Sequence, residues 1–79
     1  MKILLFGITR EIVGQPVLLI DETGKPETVN QLKELLIDRY PALAKLTSLA
    51  IAVNGNYAGN DDSLDENAEI ALIPPVSGG

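Results

Sequence analysis

The sequence predicts an α+β fold in which a mixed β-sheet is covered by one main packed helix. Residues 3–8 form a nearly continuous apolar run, which predicts a strand buried on both faces, as in the middle of a sheet. Residues 29–40 carry apolar side chains at helical spacing, and residues 69–73 form a second apolar strand. Because the first and last strands are the most apolar, we expect them to pair side by side, in parallel, at the centre of the sheet.

The first half of the chain predicts a hairpin followed by the helix. Residues 9–14 connect the first strand to a second at 17–20, and the polar residues 21–27 form a loop. Thr28 and Gln31 have the spacing of a capping box, with Thr28 as the N-cap. Pro41 ends the helix at Tyr40, and residues 41–46 add a short helical turn.

The second half predicts three more strands, so the full order is β-β-α-β-β-β. Residues 49–53 form the third strand, and the dipeptide Asn54-Gly55 predicts a two-residue turn into a short strand at 56–58. The acidic segment 59–67 lacks the ligand spacing of a calcium loop and predicts a solvated turn.

Composition limits the chemistry that the chain can perform. With 79 residues it forms a single domain at 1–75, and we expect 76–79 to be a flexible tail. The net charge of −5 argues against nucleic acid and anionic membranes as partners. The absence of Cys and His nearly excludes side-chain nucleophiles and metal sites, so we expect no bound metal or cofactor. No stretch approaches the roughly 18 apolar residues of a membrane span, and we expect a cytoplasmic location.

The C-terminal sequence is the strongest functional signal. Pro74-Pro75 favours a stiff, extended backbone, and Val76-Ser77 leads to a terminal Gly78-Gly79. A Gly-Gly ending has no Cβ and can enter a slot too narrow for any other residue. The sequence therefore predicts that the reacting atom is the carbonyl carbon of Gly79. The alternative is an inert, frayed terminus.

Three further side chains are candidates for contact with a partner. Phe6 is expected in the core by default. Tyr57 follows the Asn-Gly turn and is expected on the surface, where an aromatic ring can anchor an interface. Arg10 and Glu11 form either a solvated pair or a charged rim for a partner.

The ending Ala71-Leu72-Ile73-Pro74-Pro75-Val76-Ser77-Gly78-Gly79 resembles that of the small subunits of molybdopterin synthase. Residues 10–14 resemble the first loop of that family, and Val53-Asn54 also fits it. The similarity covers essentially the whole chain. It implies the ubiquitin-like β-grasp fold and the activity of a sulfur carrier without catalytic side chains of its own.

The resemblance also implies a mechanism and partners. A ubiquitin-activating-like enzyme would use ATP to adenylate Gly79, and a sulfur donor would then convert the acyl-adenylate into a thiocarboxylate. The sulfur would pass to cyclic pyranopterin monophosphate inside a large subunit, in a heterotetramer. Gly78, which has no side chain, would allow the terminus to enter a narrow slot in the partner. The contacts with the large subunit would be made by Phe6, Arg10, Tyr57, Ile73, Pro74, Pro75 and Val76.

Three other functions remain open on the sequence. A sulfur carrier for thiazole synthesis shares the fold and the Gly-Gly ending, although those carriers usually lack the Pro-Pro-Val-Ser approach. A ubiquitin-like modifier would use Gly79 to form isopeptide bonds with lysines of target proteins. A plain interaction module would have an inert tail.

Overall fold

The computed structural model describes residues 1–20, 26–46, 49–65 and 67–74. Five strands and two α-helices follow one another along the chain. They are β1 (Lys2–Leu5), α1 (Gly7–Val13), β2 (Val17–Leu19), α2 (Val29–Arg39), β3 (Ala50–Val53), β4 (Asn56–Ala58) and β5 (Ile70–Ile73). A 3-10 helix at Pro41–Lys45 follows α2 and confirms the predicted short turn.

The five strands form one mixed sheet in the order β2-β1-β5-β3-β4. β5 is the central strand, and it pairs in parallel with β1 and antiparallel with β3. The outer strands β2 and β4 pair antiparallel with β1 and β3. The predicted parallel pairing of the first and last strands is therefore confirmed.

One face of the sheet forms the core against α2. Ile3 pairs with Ile70 and Leu5 pairs with Leu72, and paired residues project to the same side of a sheet. All four are buried in one cluster with the inward side chains of α2 and the 3-10 helix. The buried members of this cluster are Ile3, Leu5, Leu18, Ile20, Val29, Leu32, Leu36, Leu43, Ile51, Ile70 and Leu72.

The start of α2 is close to the prediction. The Thr28 side chain accepts a hydrogen bond from the Gln31 N–H at 3.2 Å, which satisfies one of the free donors of the first turn. The Gln31 side chain accepts from the Glu27 N–H at 2.8 Å, one residue before the N-cap that the capping-box pattern predicts. The helix ends at Arg39, with Tyr40 as its C-cap before Pro41.

Loss of this cap should lower stability measurably. We expect Thr28→Ala to reduce the free energy of unfolding by about 1 kcal/mol, because the Gln31 N–H loses its acceptor. Thr28→Ser keeps the hydroxyl and is the matched control. Urea unfolding followed by circular dichroism measures both. Equal losses in the two variants would mean that the methyl group, and not the hydrogen bond, provides the stability.

The prediction for the first connection is wrong. β1 ends at Leu5 instead of continuing to residue 8, and residues predicted as a loop form α1. Gly7 has φ of +55°, which turns the chain out of the strand. The buried Thr9 side chain then accepts from the Phe6 N–H at 3.1 Å and donates to the Phe6 carbonyl, so it stabilises the turn into the helix. The fold thus has a second, short helix beside the main one.

The predicted Asn-Gly turn between β3 and β4 is confirmed. Asn54 and Gly55 have φ of +52° and +84°, as a primed hairpin turn requires. The Asn54 side-chain oxygen also accepts from the Glu69 N–H at 2.9 Å, and the Asn54 N–H donates to the Glu69 carbonyl at 2.8 Å. The turn is therefore fastened to the start of β5.

The acidic segment before β5 uses its carboxylates to hold turns. Asp62 accepts from the Gly59 N–H at 2.7 Å, and Asp65 accepts from the Asn67 N–H at 3.0 Å. Within the described ranges, neither helix has the length and apolar character that crossing a membrane requires.

Candidate functional site

The candidate site begins where β5 ends. β5 is hydrogen-bonded to a strand on each side, and its residues Ile70 and Leu72 are fully buried. Pro74 follows directly and is partly buried. The C-terminal sequence therefore starts from the central strand of the sheet, and we call Pro74 its root. The predicted site residues Pro75, Val76, Gly78 and Gly79 lie outside the described residues.

The face of the sheet opposite α2 differs from the prediction. The apolar run at the first strand predicted burial on both faces, yet Leu4 points away from the core and is only partly buried. We call this surface the open face. The strand register assigns to it Lys2, Leu4, Val17, Leu19, Ala50, Ala52, Tyr57, Ala71 and Ile73.

Phe6 and Ile73 lie on the side of the open face, at the same end of the sheet as the root of the C-terminal sequence. Phe6 continues β1 in an extended conformation, so its side chain leaves on the side opposite Leu5. It is 48% exposed, and the default expectation of a core position is therefore wrong. Ile73 lies on the same side and is partly buried. Both residues are at the end of the sheet from which Pro74 departs.

Tyr57 lies on the same face, nearer its outer edge. It is opposite Ala52 and is 76% exposed, which confirms the predicted surface position. Ala52 is in turn opposite Ala71, and Ala71 is opposite Leu4. The two alanines are the small members of this row, and Ala52 is largely buried.

Arg10 lies on α1 and not in a loop, so its predicted setting is corrected. It is exposed. Its role as a charged partner contact remains a prediction. Interface roles for Phe6, Tyr57, Ile73 and Pro74 likewise remain predictions, although the structure brings the first three onto one face.

Sequence reasoning missed two residues near this surface. Leu19 is 71% exposed on the open face at the edge strand β2. Strict alternation along residues 17–20 would have indicated that one of the two central leucines faces outward. Gly7 was also missed. A glycine inside an apolar run is a signal for a bend or a close approach of two backbones.

Comparison with known proteins agrees with this geometry. The sequence pattern of the ThiS family matches residues 3–79. The molybdopterin synthase sulfur carrier subunit of Dictyostelium discoideum is 37% identical over 81 residues, which cover 99% of this chain and 94% of that protein. The protein of the same name from Caenorhabditis briggsae is 33% identical over 81 residues, covering 99% and 95%.

A solved structure has the same fold. The small archaeal modifier protein 1 of Methanosarcina acetivorans superimposes with a TM-score of 0.79 at 32% identity, covering 99% of this chain and 94% of that one. The ubiquitin-like β-grasp prediction is confirmed by this likeness, together with the five-stranded mixed sheet. The match to the family pattern covers nearly the whole chain, and the chain therefore belongs to the ThiS family, alongside sulfur carrier subunits of molybdopterin synthase.

Proposed function

We propose that this protein is the sulfur carrier subunit of a molybdopterin synthase. Its Gly79 carboxylate is adenylated, is converted to a thiocarboxylate and donates its sulfur to cyclic pyranopterin monophosphate. Full-length relatives that carry this name support the proposal. The structural observation that carries it is the position of β5, because the central strand of the sheet ends directly at the Pro-Pro-Val-Ser-Gly-Gly sequence.

The chain's composition fits a carrier whose chemistry takes place on its partners. A carboxylate is inert until it is activated, and a terminal thioacid supplies a nucleophilic sulfur without a cysteine. ATP is bound by the adenylating enzyme, and this chain binds no cofactor. The pterin substrate carries a phosphate, which a chain of net charge −5 repels. The lysines and arginines that bind this phosphate therefore belong to the large subunit.

The open face supplies the contact with that large subunit. Phe6 and Ile73 lie beside the root of the C-terminal sequence, and Tyr57 lies on the same face. Exposed aromatic rings are frequent anchors of protein interfaces. A partner on this face would hold its pocket close to Pro74, so that Pro75, Val76 and the two glycines reach into it. The assembly proposed is a cytoplasmic heterotetramer with the large subunit.

A second candidate is a ubiquitin-like protein modifier. The observation that favours it is the likeness to a structure named as a small archaeal modifier protein, at 32% identity. The two functions share the first step, adenylation of the terminal glycine. They separate at the second, where the acyl group passes either to a sulfur donor or to a lysine amine.

Intact-mass spectrometry tests the proposal. The purified chain is incubated with ATP, its adenylating enzyme and a sulfur donor. We expect its mass to rise by the difference between one sulfur and one oxygen atom. A reaction without ATP is the control, because the carboxylate then stays inactive. Loss of water with attachment to lysines of other proteins, and no thiocarboxylate, would support the modifier instead.

A further inference from the structure

The junction between β1 and α1 lies beside the start of the C-terminal sequence. β1 and β5 run in parallel, and Leu5 is paired with Leu72. Two residues further along each strand, the chain reaches Gly7 and Pro74. Both residues therefore lie at the same end of the sheet.

Gly7 and Pro74 approach each other closely. A Cβ atom placed on Gly7 would lie 3.1 Å from Cγ of Pro74, nearer than ordinary carbon–carbon contact. A Cβ at residue 7 would therefore require the Pro74 ring to shift by a few tenths of an ångström. Gly7 cannot easily move away, because Thr9 binds both the N–H and the carbonyl of the preceding residue, Phe6.

Two other glycines with positive φ lack such a contact. Gly14 and Gly55 also have positive φ, of +88° and +84°, which favours glycine. A Cβ on either of them would meet nothing within 4 Å. Backbone conformation accounts for those two glycines. At Gly7, the close approach of Pro74 is a second and separate reason.

We propose that Gly7 is a positioning residue for the reactive terminus. The Pro74 ring packs against Gly7, which has no Cβ, and this contact sets the direction in which the chain leaves β5. Five residues follow Pro74 and span at most about 17 Å, so a tilt of only about 5° at Pro74 displaces the end by up to about 1.5 Å. The consequence for sulfur transfer rests on the proposed function, whereas the contact between Gly7 and Pro74 is independent of it.

The first experiment measures tail direction without any sulfur chemistry. The chain has no Cys, so Ser77→Cys gives a single site for a paramagnetic label. The label broadens the amide NMR signals of residues that it approaches. We expect Gly7→Ala to change which amides are broadened and Gly14→Ala to leave the pattern unchanged. Identical patterns in wild type and Gly7→Ala would overturn the proposal.

The second experiment measures transfer from the thiocarboxylated chain to the pterin in the assembled synthase. Gly7→Ala should lower the single-turnover rate at saturating large subunit by about 10- to 100-fold, because the sulfur is misplaced. Its affinity for the large subunit should stay within about twofold, since the open face is unchanged. Gly14→Ala is the control for backbone strain, because it places an L-residue at a positive φ where its Cβ meets nothing within 4 Å. An equal loss of rate in both variants would show that backbone strain alone is responsible.

A rescue variant separates the contact from general damage. Pro74→Ala removes the Cγ atom that a Cβ at residue 7 would meet. In the Gly7→Ala background it should therefore recover part of the lost rate, so the two changes together cost less than their separate effects predict. If the losses of rate from the two changes were additive, the result would contradict a role for the contact between Gly7 and Pro74. If Gly7→Ala does not fold, Gly7→Asn replaces it, because Asn tolerates positive φ but still carries a Cβ.

Discussion

A chain that lacks Gly79 is expected to accept no measurable sulfur. The shortened chain still ends in a glycine carboxylate, that of Gly78, so the chemical group is unchanged. Its position is not, because each residue contributes up to about 3.5 Å of reach. A displacement of about 1 Å in a reacting group can cost on the order of 100-fold in rate, so we expect at least that loss. Intact-mass analysis after incubation with ATP, the adenylating enzyme and a sulfur donor measures it.

The matched control for this deletion is Ser77→Ala, which alters the same sequence but keeps its length. We expect it to accept sulfur at close to the wild-type rate. Both variants should unfold at the wild-type denaturant concentration, because the buried core cluster ends at Leu72. Sulfur uptake by the deleted chain at the wild-type rate would show that the reacting group is not the carbonyl of Gly79.

The sequence was sufficient to predict the larger elements of the fold. α2 has a capping signal at Thr28 and a stop at Pro41, and both act locally. The β3–β4 turn depends on two adjacent residues, Asn54 and Gly55, that accept positive φ. The central pairing of β1 with β5 followed from their apolar character. The first two signals lie within short stretches of sequence, and the third lies in the apolar composition of two strands far apart in the chain.

α1 could not be predicted in the same way. It has only seven residues, too few to show a helical period or to be stable alone. Its first residues also continue the apolar run of β1, which concealed the end of the strand. The turn depends on Gly7 at positive φ and on the buried Thr9 hydroxyl, which accepts from the Phe6 N–H and donates to the Phe6 carbonyl. Those interactions exist only in the folded chain.

The prediction that Phe6 lies in the core was wrong for a related reason. An apolar run was interpreted as burial on both faces, although strand alternation places Phe6 and Leu5 on opposite sides of the sheet. Sequence alone does not say whether a second layer covers the outer side. In the described part of the chain, Phe6, Leu19 and Tyr57 remain exposed there. The apolar character of this face is consistent with cover by another protein.

Negative charge at Phe6, beside the C-terminal root, and at Tyr57, on the same face, is expected to abolish tight binding of the large subunit. In the variant Phe6→Glu/Tyr57→Glu, two exposed rings are replaced by carboxylates that must lose water on binding. Loss of one interface anchor typically costs 2 kcal/mol or more, so the pair should weaken binding by at least about 30-fold. Isothermal titration of the variant with purified large subunit measures the change.

Leu19→Glu is the control for position, because it adds one carboxylate, against two in the double variant, to the same face at a side chain that is 71% exposed. Leu19 is paired with Lys2, at the end of β1 away from Phe6 and Pro74. We expect it to change the affinity by less than about threefold, as charges at an interface rim usually do. Leu19 and Tyr57 are mostly exposed and Phe6 is about half exposed, so we expect only small changes in the unfolding curves, which are measured for each variant. A large effect of Leu19→Glu with none from Phe6→Glu/Tyr57→Glu would place the large subunit at the other end of the sheet, where it could not receive the C-terminal glycine.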